Sequence, residues 1–238
     1  MALHTLFTSD IPGVGDRLVV EGDEARHAVR SKRIEAGDIV AITNGCGAVA
    51  EAEVLEARRS LVLTIRTIDT VDPILPEVRV FAATPKGPRM DKMIDTLSQV
   101  GARSWTPLAT KHSVVDPGSN KIERTRRIAA ESAKQCGRAW VMEIGRKTEF
   151  ERAIDVAHGT RIVIADASGG PYVASGAQGV TLFIGPEGGW TDGELAEARG
   201  AGASICSFGV HTMRIEVAAP VAVACIIDHE THANARSE

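Results

Sequence analysis

The sequence predicts an α/β protein in which a parallel sheet flanked by helices follows a smaller β domain. Within residues 1–71, short apolar runs are separated by Gly and Asp, a pattern typical of strands and turns. Pro73 and Pro76 then lie close together, which indicates a linker. Beyond them strand patterns alternate with helix patterns, as expected for a parallel sheet with helices on its faces. We therefore predict a β domain at 1–71 and an α/β domain at 72–238.

In the first domain, strands are predicted at 17–20, 38–43 and 61–68. The segment GCGAVA at 45–50 follows the second of these strands and fits the GxGxxA spacing of a dinucleotide-binding turn, with Asp69 at a suitable distance. The preceding dipeptide Asn44-Gly45 is, however, a strong signal for a tight turn between antiparallel strands. We favour the hairpin interpretation.

In the second domain, two helix starts have local signals. Asn120-Lys-Ile-Glu and Thr191-Asp-Gly-Glu both fit the capping-box pattern, in which a polar N-cap residue precedes a Glu by three positions. A helix at 89–100 places Met90, Met93 and Leu97 on one face and stops at Gly101. The remaining predicted elements, in chain order, are a strand at 78–84, a helix from 120 to 136, strands at 161–165 and 180–184, a helix from 192 to about 199, a strand at 204–208 and a helix at 216–227.

The composition excludes several classes of protein. The chain has 238 residues and a net charge of −4, so it is not a globally basic nucleic-acid binder. We find neither an apolar run long enough for a membrane span nor a secretory signal. The four cysteines are scattered without a CxxC pair, which favours free thiols in a reducing cytoplasm. His229-Glu-Thr-His232 is one residue short of the HExxH zinc spacing. We expect a solvated tail there, and no metal site.

Two polar segments follow neighbouring strands of the predicted sheet. The first, LFIGPEGGWTDGE, spans Leu182–Glu194, and the second, FGVHTMRIE, begins at Phe208. In parallel α/β sheets, ligands bind beyond the carboxyl ends of the strands, and glycines allow the backbone to approach a ligand closely. Alone, the first segment could be a tight connection without a ligand. No Lys-Ser/Thr pair follows either glycine segment, so a P-loop is excluded.

These segments resemble the two signature segments of the RsmE-type 16S ribosomal RNA uracil-N3 methyltransferases of the SPOUT superfamily. The resemblance extends over nearly the whole chain, since His27 with Arg33–Asp38, Lys86–Met90, Gln99–Gly101 and Glu131–Arg138 match further family segments in the same order. Ile215 and Val217 depart from the family's threonines, and Pro220 is unexpected inside a helix.

The resemblance implies a methyltransferase domain with a C-terminal trefoil knot, an N-terminal PUA-like β-barrel and a homodimer. It also implies S-adenosylmethionine as the methyl donor. The residues expected to bind it are Ala165, Ile184, Gly185, Pro186, Glu187, Gly188, Gly189, Phe208, Gly209, Met213 and Ile215.

The implied reaction places a methyl group on N3 of uracil, which carries a proton at neutral pH. A base, or a cation that stabilises the uracil anion, must free the N3 lone pair. We expect Arg214 to stabilise the anion or orient the base, and Glu216 to position Arg214 or accept the proton; the alternative is a structural Arg–Glu pair.

The implied partner is 16S ribosomal RNA in the small subunit, methylated in the cytoplasm. The residues expected to bind this RNA belong to local basic clusters. They are His27, Arg30, Arg33, Lys86, Arg89 and Arg138. Two alternatives stay open: a SPOUT methyltransferase acting on another RNA such as transfer RNA, and a non-catalytic RNA-binding protein.

Overall fold

The computed structural model describes residues 3–234, which form two compact units. The first comprises residues 3–73 together with Ala130–Val141, and the second comprises Ile74–Ala129 together with residues 142–234. No sequence pattern predicted that residues 130–141 would group with the first unit. None of the helices within residues 3–234 has the length and apolar character that a membrane span needs.

The first unit is built on a five-stranded sheet. Its elements are β1 (Thr5–Phe7), β2 (Arg17–Val20), α1 (Gly22–Lys32), β3 (Ile39–Thr43), β4 (Ala48–Ala57) and β5 (Leu61–Thr70). The strand order is β1-β3-β4-β5-β2. One hydrophobic cluster takes side chains from all five strands and from α1, so the sheet curls around a single core. The strands at 17–20, 38–43 and 61–68 are confirmed to within two residues.

Helix α1 was not predicted, because few of its residues are apolar. Only Ala25 and Ala28 are buried, and its other residues are mostly charged or polar. The helix ends at Arg33, which adopts a left-handed conformation with φ of 55°.

The hairpin interpretation of residues 44–50 is confirmed. Strands β3 and β4 pair antiparallel, with Thr43 opposite Val49, and Gly45 and Gly47 both have positive φ. A Cβ atom at Gly45 would lie 2.7 Å from Cε2 of Phe7, so this glycine faces protein and not a ligand. The dinucleotide fingerprint is therefore excluded.

The second unit contains a parallel sheet flanked by helices. Its elements are β6 (Glu77–Ala82), α2 (Arg89–Gln99), β7 (Ser104–Ala109), α3 (Ser119–Cys136, whose last turns belong to the first unit), β8 (Glu143–Ile144), β9 (Thr148–Glu149), α4 (Phe150–Val156), β10 (Arg161–Pro171), β11 (Gly179–Ile184), α5 (Asp192–Gly200), β12 (Ser204–Ser207) and α6 (Ile215–Asn234). The strand order is β12-β10-β11-β6-β7-β8, with β9 also paired to β7, and every pair is parallel. The predicted α/β fold is confirmed; the knot stays a prediction.

Helices α2 and α3 follow the sequence pattern except at the start of α3. Met90, Met93, Ile94 and Leu97 are buried on α2 as predicted. Helix α3 begins at Ser119, so Asn120 lies inside the helix and is not its N-cap.

The C-terminal end of α6 corrects the expectation of a solvated tail. His229 and His232 are exposed, but they lie in the helix, and each Nδ1 lies 2.7 Å from a carbonyl oxygen of that helix. Glu230, between them, is fully buried. In the described chain, residues 3–234, no cluster of His, Cys, Asp or Glu could hold a metal ion.

Candidate functional site

The predicted ligand site is an open pocket at one edge of the parallel sheet. Strand β10 lies between β11 and β12, and Ala165 is in register with both Ile184 and Cys206. Strands β11 and β12 therefore end beside Ala165, and the pairing of β10 with β12 shifts register between Ala165 and Gly170. The cavity has a volume of about 190 Å³ and opens to solvent. It is lined by Ala165, Asp166, Ala167, Ile184, Gly185, Pro186, Glu187, Gly189, Trp190, Cys206, Ser207, Phe208, Gly209, His211, Thr212, Met213, Ile215 and Ala218.

The first corner, Gly185–Gly189, leaves β11 through a tight turn. The Gly189 amide donates to the carbonyl oxygen of Pro186 at 2.9 Å, and Gly189 has a φ of 73°. The indole of Trp190 folds back over the corner and donates from Nε1 to the carbonyl oxygen of Ala165 at 3.1 Å. A Cβ atom at Gly185 would lie 2.8 Å from Cε2 of that indole, so only glycine leaves room for it.

Helix α5 begins directly after this corner with the predicted capping box. The Thr191 hydroxyl accepts from the Glu194 amide, and the Glu194 carboxylate accepts from the Thr191 amide. Burial raises the pKa of Glu194, but bonds from the amides of Thr191 and Lys111 outweigh it and hold the pKa below its ordinary value. The start of α5 is therefore fixed by an ionised carboxylate at neutral pH.

The second corner joins β12 to α6 and supplies the apolar wall of the pocket. Phe208, Met213 and Ile215 line it, and Ile215 is only 3% exposed. The ring of Phe208 stacks on Tyr172 with centroids 5.9 Å apart. Burial raises the pKa of the Cys206 thiol despite the nearby Arg161, so this thiol is neutral in the pocket. Ile215, which replaces a threonine of the family pattern, thus contributes apolar surface.

The structure brings ten of the eleven predicted cofactor residues to this pocket. The exception is Gly188, which lies outside the lining and faces His112 instead. A Cβ atom at Gly188 would lie 3.0 Å from the Cβ atom of His112. A side chain at this position would therefore crowd His112, which packs against Gly188 from a loop of this unit.

Arg214 and Glu216 lie beside the pocket, not in its lining. The side chain of Glu216 is 9% exposed, and its Oε1 lies 3.9 Å from a guanidinium nitrogen of Arg89. Its Oε2 is buried and finds no hydrogen-bond partner among residues 3–234. Arg214 is exposed, and within the same residues its side chain makes no ion pair, with Glu216 or any other acid.

The residues predicted to bind RNA are distributed over both units. In the first unit, His27 and Arg30 lie one turn apart on α1, Arg33 ends that helix, and all three are exposed. Arg138 belongs to the same unit. In the second unit, Lys86 is exposed, while Arg89 is the ion-pair partner of Glu216.

Sequence reasoning missed several residues of the site. Asp166 follows Ala165 at the end of a predicted buried strand, so the rule that ligands bind beyond carboxyl ends could have included it. Trp190 directly follows the glycine corner. His112 is 76 residues away from Gly188 and has no local signal.

Taken together, the two corners and their pocket define an α/β protein with a small-molecule site at the carboxyl edge of a parallel sheet. Residues 73–227 match the family model described as "RNA methyltransferase domain", and residues 20–66 match "RNA methyltransferase PUA domain". The first match covers more than half of the chain, and the chain therefore belongs to the RNA methyltransferase family.

Known relatives and solved structures agree with this assignment. "Ribosomal RNA small subunit methyltransferase E" of a Synechocystis strain is 28% identical over 83% of this chain and 68% of that protein. A "probable rRNA-methyltransferase" from Porphyromonas gingivalis is 27% identical, with a TM-score of 0.84 over 97% of this chain and all of that one. The fold is also similar to the Neisseria gonorrhoeae small subunit methyltransferase E bound to S-adenosyl methionine, with a TM-score of 0.85 and 21% identity over 94% and 96% of the two chains.

Proposed function

We propose that this protein transfers a methyl group from S-adenosylmethionine to N3 of a uridine in 16S ribosomal RNA, in the assembled small subunit. The observation that carries the proposal is the pocket itself, because the two segments that resemble the uracil-N3 methyltransferases meet there. The relative from Synechocystis carries the name of a small subunit methyltransferase, which supports ribosomal RNA as the substrate.

The residues of the pocket fit S-adenosylmethionine. Ile184, Phe208, Met213 and Ile215 offer apolar surface of the kind that covers a nucleoside, and glycine backbone can approach its polar edges. The pocket also contains the carboxylates of Asp166 and Glu187, which suit a ligand with positively charged sulfonium and amino groups. A fold neighbour crystallised with this compound supports the assignment.

Arg214 is the residue that we assign to the transition state. When bound, S-adenosylmethionine supplies an electrophilic methyl group on its sulfonium sulfur. Arg214 lies between Met213 and Ile215, which both line the pocket, and no acid in residues 3–234 neutralises it. Its guanidinium is therefore available to the negative charge that develops on uracil when the N3 proton leaves.

Glu216 has a different partner from the one expected, and we propose a different role for it. A guanidinium nitrogen of Arg89 lies 3.9 Å from its Oε1, and its buried Oε2 has no hydrogen-bond donor among the described residues. A buried carboxylate oxygen without a donor is costly, so a donor from the bound base would satisfy it. We assign Glu216 to accept a hydrogen bond or the proton from the base, while Arg89 neutralises its charge.

The basic residues of both units would hold the RNA. The proposed contacts are His27, Arg30, Arg33, Arg138 and Lys86. Residues 1–71 would form the RNA-binding domain and residues 72–238 the catalytic domain. Val217 is 45% exposed on α6, which suits a contact with a second copy in a homodimer. A cytoplasmic location is proposed as well, because that is where the proposed ribosomal RNA substrate is found.

The class of RNA can be tested by label incorporation. The purified protein is incubated with methyl-labelled S-adenosylmethionine and either small ribosomal subunits from a strain lacking the gene, or transfer RNA from the same strain. Label in 16S RNA alone supports the proposal. Label in transfer RNA would instead support a SPOUT methyltransferase of different specificity. If neither RNA is labelled and the protein does not bind the methyl donor, a non-catalytic RNA-binding protein would be the better interpretation.

A further inference from the structure

The loop that follows β7 is built to contact the first corner of the pocket. Residues Thr110–Ser113 form a closed turn, because the Ser113 amide donates to the carbonyl oxygen of Thr110 at 3.1 Å and the Thr110 amide donates to the Ser113 hydroxyl at 3.0 Å. The turn presents Lys111 and His112 to the segment between β11 and α5. This loop is absent from the sequence motifs that indicated the site.

His112 is bonded to two consecutive carbonyl groups of the corner. Its Nδ1 lies 3.1 Å from the carbonyl oxygen of Gly188 and 3.1 Å from that of Gly189. Carbonyl oxygens only accept hydrogen bonds, so Nδ1 must carry a proton in this arrangement. The contact therefore requires a donor at the Nδ1 position, and a donor at the Nε2 position alone does not replace it.

The same loop is also fixed to the start of α5. The Lys111 amide donates to Oε1 of Glu194 at 2.9 Å, while Oε2 of Glu194 accepts from the amide and hydroxyl of Thr191. The corner is thus held at two points, by the His112 side chain and by the Lys111 backbone.

Neither His112 nor Gly188 lines the pocket, whereas Pro186, Glu187 and Gly189 do. His112 therefore contacts the corner from outside the pocket. The carbonyl groups that it bonds belong to Gly188 and Gly189, which adjoin or belong to the lining. A backbone that is fixed in advance binds its ligand without the cost of ordering it. We propose that His112 is a positioning residue, which fixes Gly188 and Gly189 so that the corner is shaped for S-adenosylmethionine before it binds. The identity of this ligand rests on the proposed function.

The test uses two amides that place a donor at different positions. His112→Asn puts its amide nitrogen where Nδ1 lies, and His112→Gln puts it near Nε2; His112→Ala removes the donor. His158→Asn, at an exposed histidine of the same unit, is the matched control. The Kd of S-adenosylmethionine is measured by calorimetry on each full-length protein, with a thermal unfolding curve for each variant.

We expect His112→Ala and His112→Gln to raise the Kd about tenfold, the factor that about 1.4 kcal/mol represents. His112→Asn and His158→Asn should stay within about twofold of the unmutated protein, well below that tenfold step. In methylation assays, the KM for S-adenosylmethionine should rise with the Kd, while kcat at saturation and the KM for RNA change little. A general loss of structure would change all of these quantities together.

The outcomes separate this inference from the function on which it rests. If the unmutated protein does not bind S-adenosylmethionine, the proposed function fails and this inference fails with it. If the unmutated protein binds but His112→Gln binds as tightly as His112→Asn, the proposed function stands and the positioning role is wrong. Because both amides fill much of the imidazole's space, this comparison holds even if His112→Ala does not fold.

Discussion

At the scale of single residues, a different contact or backbone conformation favours glycine at each of the three positions in the first corner. The sequence predicted that all three let the backbone approach a ligand closely. In the structure, Gly185 makes room for the Trp190 indole, Gly188 for His112, and Gly189 has a φ of 73° that other residues rarely adopt. The glycine-rich composition indicated where the pocket lies, but the contact of Gly188 with His112 joins residues distant in sequence and has no local signal.

Gly185→Ala should disturb the pocket through Trp190. The new Cβ atom would lie 2.8 Å from Cε2 and 3.0 Å from Nε1, so the indole must shift and its bond to Ala165 weakens. We expect a loss of about 1–3 kcal/mol in the free energy of unfolding, typical of overpacking, and weaker binding of S-adenosylmethionine. Thermal unfolding and calorimetry measure the two effects.

The matched control is Gly193→Ala, in the first turn of α5. Its Cβ atom would lie 3.9 Å from the Thr191 hydroxyl, an ordinary contact. This substitution should leave binding unchanged and change the free energy of unfolding by no more than about 1 kcal/mol, in the stabilising direction. Equal effects at positions 185 and 193 would contradict the role given to the indole.

Arg214→Ala separates catalysis from cofactor binding. Its loss should lower kcat about 10²–10³-fold, as for other donors that stabilise a transition state. Because Arg214 is exposed beside the pocket and outside its lining, the Kd of S-adenosylmethionine should hardly change. Arg199→Ala, which removes the same charge from the exposed face of α5, serves as the control and should retain full activity. A large rise in the Kd for Arg214→Ala would show that Arg214 is structural.

At the scale of elements, prediction succeeded where an apolar pattern is long or a local signal marks the boundary of the element. Strands β10 and β11 were found because their apolar runs are nearly continuous, and α5 because its capping box is local. Helix α4 has only seven residues, and β7 contains Pro107, so both lacked a usable pattern. Buried Glu230 could not be predicted, because an acid near the end of a chain gives no signal of burial.

Glu230 joins α6 to the segment between β10 and β11. Its carboxylate accepts from the Tyr172 hydroxyl, from Arg161 at 2.9 Å, and from the amides of Ser175, Gly176 and Ala177. Burial raises the pKa of Glu230, but these bonds lower it more, and the pKa lies below its ordinary value. Burial, and then the bond to Glu230, raise the pKa of Tyr172, so the phenol stays a donor.

This arrangement predicts an acid-sensitive contribution to stability. A carboxyl group whose pKa is lower in the folded state stabilises the fold above its unfolded pKa of about 4.5, and that contribution is lost as the pH falls through the folded value. Glu230→Gln should lower the free energy of unfolding by about 3–5 kcal/mol at pH 7, as for other broken buried pairs. The variant should also lose less further stability than the unmutated protein between pH 5 and pH 3, roughly the acid range of carboxyl titration.

Chemical denaturation at several pH values measures both effects. Glu151→Gln removes one carboxylate from the exposed face of α4 and is the control. It should follow the pH dependence of the unmutated protein. If Glu230→Gln followed that dependence as well, the bonds to Tyr172 and to the three amides would not stabilise the carboxylate form.

At the scale of the whole molecule, order along the chain gave more information than composition. A net charge of −4 did not suggest an RNA-binding enzyme, whereas the succession of family segments did. The parallel sheet and the meeting of two segments at one edge followed from the alternation of strands and helices. The grouping of Ala130–Val141 with the first unit, and the pairing of Glu216 with Arg89, depend on contacts distant in sequence.

The position of the transferred methyl group tests the central claim most directly. Small subunits from a strain lacking the gene are treated with the protein and S-adenosylmethionine, and nucleosides from their 16S RNA are separated and identified by mass spectrometry against standards. We predict 3-methyluridine with the unmutated protein and with Arg199→Ala, and an initial rate of its formation about 10²–10³-fold lower with Arg214→Ala. Methylation of uridine at C5 or at the ribose 2′-hydroxyl, without 3-methyluridine, would contradict the proposed chemistry of the site.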